Sequence, residues 1–135
     1  MSNMENKFKH MDYIQSTISR MAANSFSLKG WNVTIVAAIV ALSFKESDWR
    51  IYVSALFLNI VFWVLDAYYL RQEKLFRMLY NKVSKIKDDN KVDFSMHTSE
   101  FKKYVSKFVC VISIAPLYLS ITIILLVLIS AVKGV

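Results

Sequence analysis

Five residues with polar or ionisable side chains recur at a spacing of seven along one stretch of the chain: Tyr52, Asn59, Asp66, Glu73 and Tyr80. On a helix such a repeat keeps them on one slowly drifting face. The residues between Trp49 and Leu70 are otherwise almost entirely apolar, so this face runs through a segment suited to lipid. Asn59 falls near the middle of that segment, where an amide without a partner is expensive. Asp66 falls towards one end. Two readings follow. The face lines a solvated pore or gate, or Asn59 bonds one helix to another while Asp66 reaches the membrane boundary beside Arg20 or Arg71. Ser99, Ser106, Ser113 and Ser120 repeat with the same period, which suits either close helix packing or a narrow polar conduit in an oligomer. Tyr52, Asn59, Asp66, Ser113 and Ser120 are therefore the candidate pore or helix-packing face.

The other reactive residue types argue against an enzyme. His10 and His97 stand in polar segments with no cysteine or carboxylate at ligand spacing, and read as surface histidines without a metal. Nothing pairs a nucleophile with a base, and no glycine-rich stretch could cradle a phosphate. Glu46 and Asp48 flank a short polar turn. The single Cys110 lies in an apolar run, where a buried small hydrophobe is expected rather than a reactive thiol. No cofactor is implied.

The chain must position these residues in helices. Of its 135 residues 56% are hydrophobic, and they concentrate in 31–44, 49–70 and 108–132. A helix crossing a bilayer needs about 20 mostly apolar residues, because each backbone amide must be bonded within its own segment. The three runs meet that length alone or with their flanks. With only two glycines and one proline, a turn-rich β architecture is excluded. The expected fold is an all-α integral membrane protein, one membrane domain with about three transmembrane helices. Residues 1–30 form a cytoplasmic amphipathic helix on the stripe Met11, Ile14, Ile18, Met21 and Ser25, with Gly30 permitting a bend and Trp31 at headgroup level. Residues 31–44 are the first span, with Ala37 and Ala41 as a close-approach face. Residues 49–70 are the second span, continuing as a cytoplasmic helix to about 88 because no glycine or proline interrupts it. A helix from Thr98 leads through 132 as the third span, expected as one tilted helix kinked at Pro116, with two short half-spans around the proline as the alternative. The polar start, 1–9, does not read as a signal peptide.

A net charge of +7 is explained by topology better than by nucleic acid. Fourteen of the 17 basic residues lie before the first span or between the second and third; only Lys45, Arg50 and Lys133 lie elsewhere. The positive-inside rule then places the N-terminus and the middle segment in the cytoplasm and the 45–48 turn outside. The basic middle segment would face anionic headgroups.

Two blocks carry a likeness to known proteins: Asn24-Ser25-Phe26-Ser27-Leu28-Lys29-Gly30-Trp31 and Leu65-Asp66-Ala67-Tyr68-Tyr69-Leu70-Arg71-Gln72-Glu73-Lys74-Leu75-Phe76-Arg77. They resemble a group of small bacterial multi-pass membrane proteins, and the layout of residues 10–90 is similar to SLATT-type membrane effectors of anti-phage nucleotide-signalling systems. That resemblance implies a helical hairpin that oligomerises and breaches the inner membrane; it carries over no site residue, and the third span lies beyond its two-span pattern. The expectation is a homo-oligomeric, channel-like protein of the bacterial inner membrane, an effector or accessory of antiviral defence. The alternative is a non-conducting scaffold whose basic cytoplasmic helices recruit a soluble protein. A small transporter is the third reading.

Overall fold

The computed structural model describes residues 3–45 and 48–134, and every regular element among them is helical. Helix α1 runs Asn3–Ser43, α2 Trp49–Lys85, α3 Lys107–Ser113 and α4 Ala115–Lys133; single 3-10 turns occupy Asp89–Lys91 and Ser99–Phe101. Three of these helices, α1, α2 and α4, are long and apolar enough to cross a membrane.

α1 is one helix of 41 residues, where separate amphipathic and spanning segments meeting at Gly30 were expected. Its buried residues explain the continuity. Ile14, Ile18, Ser25, Leu28, Asn32, Val36 and Ser43 form a single seam, so the amphipathic stripe and the spanning helix share one contact face. Packing along that seam outweighs the cost of about 1 kcal/mol for a glycine inside a helix, and Gly30 itself faces open space.

α2 lies antiparallel to α1, its first turn capped by Asp48, whose carboxylate accepts the Arg50 backbone N–H. The two helices stay in contact from the membrane end, where Val36 meets Tyr52 and Ala55, to the far end, where Ile14 and Ile18 pack on Leu79 and Val83. Lys7 closes that end by donating to the Ile86 carbonyl at 2.5 Å. At 1.5 Å per residue α1 is about 60 Å long and α2 about 55 Å, whereas the hydrocarbon of a bilayer is about 30 Å thick. The hairpin is therefore about twice as long as that hydrocarbon is thick, and its half around Ile14, Ile18, Leu79 and Val83 is termed the stalk. Val92 completes the stalk core, and Phe101 packs against it.

The third span differs from expectation at two places. Residues 102–106 do not form an α-helix: Thr98 makes no side-chain cap bond, and the Arg71 guanidinium takes the Val105 carbonyl at 3.0 Å and the Lys102 carbonyl at 3.4 Å. Those are acceptors that a continuous helix would use for itself. Secondly, the kinked helix expected around Pro116 is two helices, α3 and α4, separated at Ile114. Proline lacks an N–H and its ring collides with the carbonyl four residues back, here Ile112. In the first turn of α4 that penalty vanishes, since the N–H there has no helical partner.

α4 runs antiparallel to α2 and packs along it. Tyr118 lies against Ala67, Leu125 against Tyr52 and Ala55, and the Lys133 ammonium sits 4.0 Å from the centre of the Trp49 ring. α2 is thus the central helix, flanked by α1 and α4.

Candidate functional site

Where α1, α2 and α4 meet, polar side chains stack in two linked layers. The layer nearer the stalk centres on Asp66, which is wholly buried. Lys29 reaches it from α1, with Nζ 2.7 Å from Oδ2 and 2.9 Å from Oδ1. Ser25 donates to Oδ1 and itself accepts from Lys29 Nζ at 2.8 Å. From α4 the Tyr118 hydroxyl donates to Oδ2 at 3.0 Å. The carboxylate is thus neutralised and hydrogen-bonded from both neighbouring helices, as a buried charge requires. The Lys29 side chain keeps 33% of its surface exposed, so its aliphatic stem lies in the interface while the ammonium turns inward.

The second layer lies two helical turns along α2. Asn59, also wholly buried, donates through Nδ2 to the Tyr118 carbonyl at 3.1 Å and to Thr122 Oγ1 at 3.0 Å. Because a carbonyl can only accept, these bonds fix the orientation of the Asn59 amide. Its Oδ1 must then accept, and Asn32 Nδ2 of α1 donates to it at 2.7 Å. Asn32 Oδ1 is left buried without a partner. The Thr122 hydroxyl in turn donates to the Tyr118 carbonyl at 2.8 Å. Tyr118 therefore joins both layers, by its hydroxyl in one and its backbone in the other. Trp63 braces it: the two rings stack at 5.9 Å and 3°, and the indole donates to the Val111 carbonyl at 3.1 Å beside the α3–α4 break.

Of the residues singled out from sequence, Tyr52, Asn59 and Asp66 are buried inside the subunit. Glu73 and Tyr80 are half-buried on the stalk, and Glu73 pairs with Arg77 at 2.8 Å. Ser113 and Ser120 face outward, as do Ala37 and Ala41; Ser120 donates to the Leu117 carbonyl of its own helix at 2.7 Å. The seven-residue repeat in α2 and the serine repeat thus occupy opposite situations, one consumed in helix packing and the other left on the outer surface. Asp66 bonds neither Arg20 nor Arg71: Arg20 turns to Thr17 and Arg71 to two carbonyls. Lys29, Ser25, Asn32, Tyr118 and Thr122 were not singled out as partners, although Ser25, Lys29 and Asn32 share one face of α1 by spacing. Cys110 is buried with Leu75 and Val105.

His10 departs from the surface position expected for it. It is buried on the stalk, edge-on to Phe94 at 5.6 Å, and its Nε2 has no partner. Burial lowers its pKa below 6.5, an effect that the nearby Asp93 partly opposes. His97 is exposed and shares a 2.6 Å bond with Ser95. Among the described residues no group of three or more His, Cys, Asp or Glu could hold a metal.

Comparison with family models, curated proteins and solved structures gives no match.

The geometry therefore does one thing plainly. Asp66 and Asn59 are each tied to both neighbouring helices, so the ladder locks the mutual register of α1, α2 and α4. Its donors and acceptors are spent on one another, with Asn32 Oδ1 the exception.

Proposed function

We propose that this chain is a homo-oligomeric multi-pass protein of the bacterial inner membrane, acting as a scaffold that presents its basic stalk to the cytoplasm for a soluble protein partner. The observation that carries this reading is the division of labour along the hairpin. Within the spans the polar face is closed on itself around Asp66 and Asn59, whereas α1 and α2 continue together as a packed stalk with its own apolar core. A rigid anchor bearing a cytoplasmic projection fits a recruiting role. The distribution of basic residues, fourteen against three, supports an N-terminus and stalk on the cytoplasmic side.

The second reading, an oligomeric channel-like effector or accessory of anti-phage defence, draws on the resemblance to SLATT-type effectors. One observation favours it: Ser113 and Ser120 lie exposed on the spanning side of the subunit. In a ring of subunits these hydroxyls, rather than Asn59 and Asp66, would line the pore.

Native mass spectrometry in mild detergent, together with ion flux through reconstituted liposomes, tests both. An oligomer that does not conduct is expected. A conducting oligomer whose flux falls on Ser120→Leu overturns the scaffold in favour of the channel, and a strict monomer refutes both.

A further inference from the structure

At the base of the stalk, α2 and the segment leading into α3 enclose a cleft of about 510 Å³. Its lining is divided. Val64, Ala67 and Val111 form an apolar floor, and Arg71, Lys102 and Lys107 form a basic rim. Along α2 the division falls where a lipid–water boundary would. Counted from Trp49 at about 1.5 Å per residue, Val64 lies roughly 23 Å into the span and Arg71 roughly 33 Å, either side of the far boundary of a hydrocarbon layer about 30 Å thick. Tyr68 and Phe108 are both exposed at this level, in the manner of an interfacial aromatic belt.

Arg71, Lys102 and Lys107 give the rim three positive charges. None of Arg71, Lys102 and Lys107 forms an ion pair with a carboxylate among the described residues. Arg71 spends one N–H on the Val105 carbonyl and one on the Lys102 carbonyl. Of the five N–H donors of a guanidinium, three remain. The two carbonyl bonds also hold the guanidinium in place, so its free donors are presented without further ordering cost.

We propose that this cleft is a binding site for one anionic phospholipid. Its phosphate is held by Arg71, Lys102 and Lys107, and an acyl chain lies on Val64, Ala67 and Val111. The oxygens of a phosphodiester can accept from all three cations at the headgroup level while its single negative charge offsets part of theirs, and the lipid's hydrocarbon covers the apolar floor. A free phosphate would satisfy the rim alone and leave the floor uncovered. A peptide would have to place its backbone against hydrocarbon.

The test is lipid retention by the full-length protein in detergent, read by native mass spectrometry with phosphatidylglycerol and phosphatidylcholine in equal amounts. The wild type should retain phosphatidylglycerol preferentially. Lys102→Gln with Lys107→Gln should lower that retention about tenfold or more, since each basic residue near the headgroup contributes appreciably. Lys85→Gln with Lys87→Gln, an equal loss of charge on exposed residues at the other end of the stalk, should leave it unchanged. Val64→Trp, which fills the floor without altering charge, should also reduce retention. Val64 is 63% exposed, so this change does not disturb the helix contacts. Equal loss in the two lysine double variants, unchanged retention in Val64→Trp, or no preference for phosphatidylglycerol would each overturn the site. Displacement of the lipid by millimolar inorganic phosphate would assign the rim to a free anion instead.

Discussion

The Lys29–Asp66 pair makes an asymmetric prediction. Asp66 has no exposed surface, whereas the Lys29 side chain is one-third exposed. Removing the lysine with Lys29→Met strands a buried carboxylate with only the Ser25 and Tyr118 hydroxyls as donors. Breaking a buried pair in this way costs about 3–5 kcal/mol. Removing the carboxylate charge with Asp66→Asn is milder, because the freed ammonium can extend to the headgroups on its flexible stem. The amide oxygen can still accept from Tyr118. The loss is then that of hydrogen bonds to a charged group, about 1–3 kcal/mol. In the double variant Lys29→Met/Asp66→Asn no charge remains to be stranded, so its stability should fall near that of Asp66→Asn alone. The cycle should therefore show a coupling of at least about 2 kcal/mol. Reversible unfolding in mixed micelles by titration with a denaturing detergent, followed by circular dichroism, measures all four proteins. Additive losses, or a Lys29→Met no less stable than Asp66→Asn, would refute the buried pairing.

Three further outcomes are expected. Asn59→Leu removes three interhelical bonds, each worth about 0.6 kcal/mol on average in a membrane, and should destabilise the subunit by roughly 1–3 kcal/mol in the same unfolding assay while leaving oligomer mass unchanged. In a Cys110→Ser background, Lys45→Cys should react with an impermeant thiol reagent in intact cells and Lys82→Cys should react only after lysis; the reverse pattern would invert the topology. His10 has a pKa lowered by burial, so the unfolded chain protonates before the folded one. Its contribution to stability should be present above pH 6.5 and lost as the pH falls through the lowered value. The stability difference between the wild type and His10→Gln, measured from pH 8 to pH 5, should therefore shift against the wild type on acidification.

Some of this molecule is decided residue by residue along the chain. Runs of apolar residues long enough to cross lipid can only be helices, since the backbone must bond to itself there. The absence of glycine and proline from Trp49 to Asn90 makes α2 a single element, and the spacing of Tyr52, Asn59 and Asp66 puts them on one face whatever surrounds them. What that face meets is not a property of its spacing. The antiparallel register of α1 on α2 brings Lys29, rather than Arg20 or Arg71, within 3 Å of Asp66, and it sets Asn32 opposite Asn59. The same partnership carries α1 through Gly30 as one helix, because the seam on either side of the glycine is buried against α2. Pro116 signals a disturbance locally. Whether the chain kinks or stops depends on competing acceptors and on packing, here the Trp63 bond to the Val111 carbonyl and the Tyr118 ring under it. The serine repeat has the same period as the buried face of α2, yet Ser113 and Ser120 lie outside. Periodicity defines a face of a helix; only the position of the neighbouring helices decides whether that face turns inward.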